Sequence, residues 1–83
     1  MKIYDFVDGV VCDFTLAIRV SVQEASLCFE YENYNGSRLY FETREAATSC
    51  LNAIILAYDN DEELFLIDAD GKKGLFEWSF VEK

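Results

Sequence analysis

The chain has 83 residues and carries 16 acidic against 7 basic side chains, which gives a net charge of −9 at neutral pH. This length allows one domain over residues 1–83, and a hydrophobic fraction of 52% predicts a folded chain rather than an acidic disordered segment. The negative charge disfavours direct binding of nucleic acid. The lack of histidine removes the commonest general base and the commonest metal ligand.

The sequence pattern also favours a cytoplasmic protein. It contains no run of 18 apolar residues, so we expect no membrane-spanning segment. Residues 1–5 include an acid and have no apolar core, which is unlike a signal peptide. Cys12, Cys28 and Cys50 are odd in number and widely spaced, a pattern typical of reduced and mostly buried thiols.

The first two predicted strands form a hairpin. Residues 2–7 alternate weakly and end at Asp8-Gly9, a pair typical of a two-residue hairpin turn. Residues 10–20 alternate cleanly between two faces. Because these eleven residues would reach about 36 Å when extended, we expect the strand to bend or bulge, or to cross the whole sheet.

Two more strands are predicted over residues 27–34 and 38–42. A two-residue loop between them would set an acidic residue opposite Phe41. A three-residue loop instead pairs Tyr31 with Phe41 and keeps the apolar faces together, because a slip of one residue reverses every face. We therefore predict the three-residue loop, with Gly36 at a positive φ in a bulge.

A single helix is predicted over residues 44–58. Thr43 can cap its start, and Glu45 lies in the first turn, where the helix dipole favours an acid. Apolar residues recur at helical spacing, and fifteen residues without glycine are long for a strand. The apolar stripe comprises Ala47, Cys50, Leu51, Ile54, Ala57 and Tyr58.

Two strands are predicted after the helix, over residues 63–69 and 74–81. A four-residue loop at residues 70–73 would pair Ile67 with Phe76 and keep the aromatic residues on one face. The expected fold is α+β: a mostly antiparallel sheet of about six strands with one helix packed on one face, in the order ββββαββ.

One helix cannot cover both faces of such a sheet, yet apolar side chains also occur on the second face. These side chains are Tyr4, Phe6, Val11, Leu64 and Leu66. Their presence predicts either that the sheet curls into a half-barrel or that part of this face is a contact surface.

Acidic residues concentrate between residues 59 and 70, a stretch without lysine or arginine. They are Asp59, Asp61, Glu62, Glu63, Asp68 and Asp70. Such a cluster can simply keep a small protein soluble, or it can dock on a basic protein surface, because complementary charge steers association. We take this cluster as the candidate protein-binding site.

The pattern gives little support for catalysis or metal binding. Residues 68–71 resemble the start of a calcium loop, but lysine and glycine occupy the next ligand positions, so a β-turn is the preferred interpretation. A nucleophilic cysteine would need a base, and no histidine is available. Cys12 and Cys50 lie on predicted core faces, whereas alternation places Cys28 on the outer face. We expect no enzyme activity, no metal and no other cofactor.

In length, in charge and in its layout of short strands with one helix, the chain resembles the small acidic inhibitors encoded by phages and mobile elements, including the anti-CRISPR proteins. The resemblance implies a stoichiometric inhibitor in the cytoplasm of a bacterial host. Such an inhibitor would dock on a basic surface of a nucleic-acid-processing complex, without contacting nucleic acid or membrane. It would block substrate entry, for example as a DNA mimic, or block a conformational step.

Three alternatives stay open at this point. The first is a toxin-neutralising immunity protein, which also uses acid to cover a basic nuclease site. The second is a structural or assembly subunit that forms a homodimer or larger homo-oligomer through the second sheet face. The third is a small calcium-dependent module.

Overall fold

The structure is a computed structural model that describes residues 1–33 and 35–75. The described strands are β1 (Lys2–Asp5), β2 (Val10–Asp13), β3 (Arg19–Gln23), β4 (Ser26–Glu30), β5 (Ser37–Tyr40) and β6 (Leu64–Ile67). The main helix α1 (Arg44–Asp59) lies between β5 and β6 in the chain, and a short helix α2 (Ala69–Lys72) follows β6. The predicted α+β class is confirmed, but five strands precede α1 where the predicted order ββββαββ has four, because the predicted strand over residues 10–20 is divided into β2 and β3.

The described strands form two sheets of three strands each rather than one sheet. In the first sheet, of order β2-β1-β6, β1 is antiparallel to β2 and parallel to β6. In the second sheet, of order β3-β4-β5, both pairings are antiparallel. The fold is therefore mostly antiparallel, as predicted, and the parallel pair arises because α1 carries the chain across between the sheets.

The predicted long strand over residues 10–20 bends, and the bend divides the two sheets. Its first part is β2, which pairs with β1, and its second part is β3, which pairs with β4. Between them the chain turns, with the Ala17 N–H donating to the Phe14 carbonyl over 3.3 Å. One alternating stretch of sequence thus supplies an edge strand to each sheet.

The first hairpin has a four-residue loop, so the prediction of a two-residue turn at Asp8-Gly9 is wrong. Asp5 pairs with Val10, which leaves residues 6–9 outside the ladder. Gly9 adopts a positive φ of 68°, a conformation that glycine tolerates without strain. The wider loop is stabilised by the Asp5 side chain, which accepts hydrogen bonds from the backbone of the loop.

The register predicted for the second hairpin is also wrong. Leu39 pairs with Leu27, whereas the three-residue loop would have paired it with Asn33. The shift is an even number of residues, so the inward and outward faces are retained. Gly36 has no positive φ; it is needed because a Cβ there would lie 2.1 Å from the Phe29 carbonyl oxygen.

Helix α1 agrees with its prediction and covers the second sheet. The Thr43 side chain accepts a hydrogen bond from the Ala46 N–H over 3.1 Å, which confirms the predicted N-cap. The helix packs against β3 and β4. Its buried residues are Ala46, Ala47, Cys50, Ala53, Ile54 and Ala57. They meet the inner side chains Ile3, Phe65 and Ile67 of the first sheet and Leu27, Phe29 and Leu39 of the second in one core.

The chain after β6 differs from the predicted hairpin. Residues 69–72 form α2 instead of an open loop, because the Asp68 carboxylate accepts a hydrogen bond from the Gly71 N–H and caps a helical turn. Gly74 and Leu75 are not in a strand. The rest of the strand predicted over 74–81, with its pairing of Ile67 and Phe76, lies outside the described residues.

Candidate functional site

The acidic residues form two groups, separated by β6, rather than the single cluster that the sequence predicts. Asp59 ends α1, and Glu63 immediately precedes β6. Asp68 and Asp70 follow the other end of that strand. Since an extended residue rises about 3.3 Å, the Cα atoms of Glu63 and Asp68 lie about 16 Å apart.

The first acidic group, Asp59, Asp61, Glu62 and Glu63, lies on the turn that leads from α1 to β6. Asn60 caps the helix end, and Asp61 adopts a positive φ of 59° that lets the chain reverse. The Glu62 N–H then donates to the Ala57 carbonyl over 3.0 Å, which fixes the turn against the helix. Asp59, Asp61 and Glu63 are exposed, and Glu62 is half-buried.

The second acidic group, Asp68 and Asp70, belongs to α2. Both residues are exposed, and one Asp68 oxygen accepts the Gly71 N–H over 2.9 Å. A capping carboxylate explains the choice of aspartate at residue 68 without any ligand. The segment therefore forms a capped helical turn, and the β-turn that the sequence favoured here is wrong.

Most of these carboxylates have no cationic partner in the described part of the chain. Within residues 1–33 and 35–75, ion pairs engage Asp5, Asp8, Asp13 and Glu30. None of those pairs reaches the exposed members of the two acidic groups. Within the described residues no neighbouring cation neutralises these exposed charges, which therefore add to the same negative potential.

An apolar surface lies between the two acidic groups, on the outer face of the first sheet. We call it the apolar sheet face; it consists of Tyr4, Phe6, Val11, Leu64 and Leu66, all exposed. Tyr4 stands opposite Val11 on one side and Leu66 on the other. The Phe6 ring stacks on Tyr4, with 6.1 Å between ring centroids, so the surface continues past the end of β1.

A buried ionic cluster holds the end of the first sheet, and the sequence pattern does not reveal it. Lys72 on α2 and Asp5 on β1 are both buried, and the Lys72 ammonium donates to an Asp5 oxygen. It also donates to Asp8 Oδ2 over 3.2 Å and to the Tyr40 carbonyl over 2.6 Å. These three acceptors satisfy the three protons of the ammonium group, which burial otherwise makes costly.

The same cluster fixes the loop over residues 6–9. The second Asp5 oxygen accepts the N–H groups of Val7 and Asp8, each over 3.0 Å. The Lys72 ammonium lies 4.7 Å from the centre of the Phe41 ring, which adds a cation–π contact. The segments around Asp5, Tyr40 and Lys72, which are remote in sequence, therefore meet at this ionic cluster.

The cysteines are arranged as inert core residues. All three are reduced and buried, including Cys28, for which outward alternation predicted exposure. Cys28 does lie on the outer face of β4, but it sits opposite Ser21 and Arg38 on the flanking strands and so is shielded from solvent. Burial raises the pKa of the Cys12 thiol despite hydrogen bonds from Ser37 and Tyr31, and burial also raises the pKa of Cys50. A thiolate nucleophile is disfavoured at both positions.

An open groove of about 420 Å³ runs between α1 and the bend that joins β2 to β3. Its polar lining consists of Thr15, Arg19 and Tyr58, with no carboxylate or thiol. These groups do not form a nucleophile and base pair. Within residues 1–33 and 35–75, no three histidine, cysteine or carboxylate side chains are placed to hold a metal ion.

Comparison of the chain with protein-family models, with curated protein sequences and with solved structures finds no match. In the part of the chain that the structure describes, no helix has the length and apolar character needed to cross a membrane.

Proposed function

We propose that this protein is a non-enzymatic inhibitor that docks, through its acidic groups, on a basic surface of a nucleic-acid-processing complex. The observation that supports the proposal is the exposed acid at both ends of β6, which forms no ion pair within residues 1–33 and 35–75, in a chain of net charge −9. Proteins that bind the phosphate backbone expose clustered lysine and arginine. A small acidic fold can occupy such a surface in place of the nucleic acid and steer its own association by charge.

The described side chains favour binding over catalysis. The thiols of Cys12 and Cys50 are buried, with raised pKa values, and the open groove beside α1 lacks a general base. An inhibitor that acts by covering a surface of its target needs neither a reactive thiol nor a general base. Under this proposal one molecule of the protein blocks one target, either by covering the substrate channel or by holding the target in one conformation.

A test combines affinity capture from a bacterial lysate with matched charge reversals. The first variant, Asp61→Lys with Glu62→Lys and Glu63→Lys, reverses the acidic turn before β6. The control variant, Glu32→Lys with Glu42→Lys and Glu45→Lys, makes the same change of net charge at exposed positions elsewhere. We expect the wild type and the control to retain a basic nucleic-acid-processing protein, identified by mass spectrometry, and the first variant to lose it.

The captured protein then permits a functional measurement. Adding the wild type in equimolar amount should abolish its activity on nucleic acid, and raising the salt concentration should weaken binding chiefly through slower association. Capture that survives reversal of residues 61–63, or that fails equally in both variants, would contradict the assignment of this site. Capture of a nuclease toxin as the sole target would favour the immunity-protein alternative.

Self-assembly is the alternative that the exposed apolar sheet face favours, but charge argues against it. In a twofold symmetric dimer each surface meets a copy of itself. The acidic groups at the two ends of β6 would then face groups of the same sign, which costs affinity. A sedimentation measurement that finds a stable dimer at physiological salt would favour the assembly interpretation instead.

A further inference from the structure

The loop over residues 6–9 presents two apolar side chains to solvent from a tightly held backbone. Phe6 is 64% exposed and Val7 is 53% exposed. An exposed phenylalanine at the start of this loop adds little to the stability of the monomer, because most of the side chain stays in water. Packing within the monomer therefore does not explain why an apolar ring is placed there.

The backbone of this loop is fixed by more contacts than a hairpin turn requires. Asp5 accepts the N–H groups of Val7 and Asp8, and the Phe6 N–H donates to the Ile67 carbonyl over 3.0 Å. The buried Lys72 ammonium then joins Asp5 to Asp8 across the base of the loop. A loop held in one conformation before binding avoids the entropy cost of ordering when it binds.

Phe6 is also the end of a larger surface. Its ring stacks on Tyr4, and the remaining members of the apolar sheet face extend the patch across the three strands. One acidic group precedes β6, which supplies Leu64 and Leu66 to this surface, and the other acidic group follows β6. An apolar centre with a charged rim is the usual organisation of a protein–protein interface, in which a buried aromatic residue contributes much of the affinity.

We infer that the apolar sheet face, with Phe6 as its anchor, is the docking surface of this protein, and that its partner is a protein surface with an apolar depression bordered by lysine and arginine. The inference rests on the proposed function and deepens it, since acid alone would suit any basic surface. Charge complementarity selects this partner over a second copy of the chain, which would place acid against acid. Lys72 acts as a positioning residue for the loop.

Two synthetic peptides test the inference without a known partner. One is a helical peptide with leucine along one face and lysine around it; the other has the same length and charge, with serine in place of each leucine. We expect the full chain to bind the leucine peptide about tenfold more tightly, because only that peptide can cover the apolar sheet face. Phe6→Ala should remove this difference, whereas Ile55→Ala, an exposed apolar residue on α1, should preserve it.

The outcomes separate the inference from the proposed function. Equal binding of both peptides by the wild type, or a leucine preference that survives Phe6→Ala, overturns the docking surface while leaving charge-driven docking in place. Serine-peptide binding that is unchanged by reversal of residues 61–63 counts against the proposed function. A dimer of the wild type that Phe6→Ala dissociates assigns the face to self-association and overturns the inferred partner. The unfolding curves of both alanine variants should stay close to that of the wild type, because both side chains are exposed, Phe6 to 64% and Ile55 to 44%.

Discussion

Asp5 and Asp61 carry the same carboxylate but meet opposite surroundings. Asp5 is 2% exposed and is bound by an ammonium group and two backbone N–H groups, whereas Asp61 is exposed and forms no ion pair within the described residues. A buried charge must be compensated inside the protein, whereas an exposed charge stays hydrated and contributes to the electrostatic potential around the protein. The charge of the interior carboxylate is therefore compensated within the fold, whereas the charge of the exterior one stays exposed to solvent.

Removing the buried cation should have the largest effect on stability. Lys72→Met keeps the length of the side chain but leaves the Asp5 carboxylate buried without its charge partner. We expect the free energy of unfolding to fall by about 3–5 kcal/mol, as for other buried pairs that lose one member. Chemical denaturation followed by circular dichroism measures this change.

The neighbouring lysine is the matched control for that variant. Lys73 is exposed and follows Lys72 directly, so Lys73→Met should change the free energy of unfolding by no more than about 0.5 kcal/mol. A similar, small effect of both substitutions would show that the interior cluster does not stabilise the fold. The proposed difference between compensated buried charges and exposed charges would then be wrong.

Asp13 lies between the two extremes and should give an intermediate effect. Its side chain is 21% exposed and lies 3.5 Å from the Lys2 ammonium and 3.7 Å from the N-terminal ammonium. Partial burial raises its pKa, but the Thr15 N–H and the two ammonium groups outweigh it and lower the pKa below the ordinary 3.8. We expect Asp13→Asn to lower the free energy of unfolding by at most about 1 kcal/mol at neutral pH.

The lowered pKa of Asp13 also determines the pH range in which this residue stabilises the fold. A carboxyl whose pKa is lower in the folded state adds stability above its ordinary pKa of 3.8, and the contribution is lost as the pH falls through the lower folded value. The difference between wild type and Asp13→Asn should therefore vanish below that range. Glu30→Gln, which removes an exposed ion pair with Arg19, should lower the free energy of unfolding at neutral pH by less than Asp13→Asn does.

These contrasts also explain what the sequence can predict. Helix α1 and its cap at Thr43 are local features, and the pattern of residues 43–58 contains them. The choice of faces in the second hairpin also follows from alternation. The register of the two hairpins does not follow from alternation. In the first hairpin the Asp5 side chain widens the loop, and in the second Gly36 lets the backbone approach Phe29. Neither contact produces a pattern in the sequence.

The candidate site was predictable in composition but not in arrangement. Sequence patterns identify the acidic residues and the apolar members of the second face. The division of the acid into two groups depends on where β6 lies, and the burial of Lys72 depends on Asp5, which is 67 residues away in the chain. Lys72 and Lys73 are indistinguishable by pattern, and only the packing of α2 determines which one is buried.

The smallest expected effect comes from the exposed acid at the end of α1. Asp59 lies at the negative end of the helix dipole, with no basic residue in the last turn, so its charge is locally unfavourable. Asp59→Asn should raise the free energy of unfolding by about 0.3 kcal/mol. Glu45→Gln, in the first turn of the same helix, should lower it by a similar amount, because there the dipole favours the acid.

Changes of opposite sign in the free energy of unfolding of these two variants, measured by thermal unfolding at low salt, would show that Asp59 at the end of α1 lowers the stability of the fold. If Asp59→Asn also weakens capture of the partner while Glu45→Gln does not, stability and binding place opposing demands on the same carboxylate. That opposition is what a binding role predicts and what a purely solubilising surface does not, since any exposed acid would serve solubility equally well. Equal effects of both variants on capture would instead assign the acid to solubility.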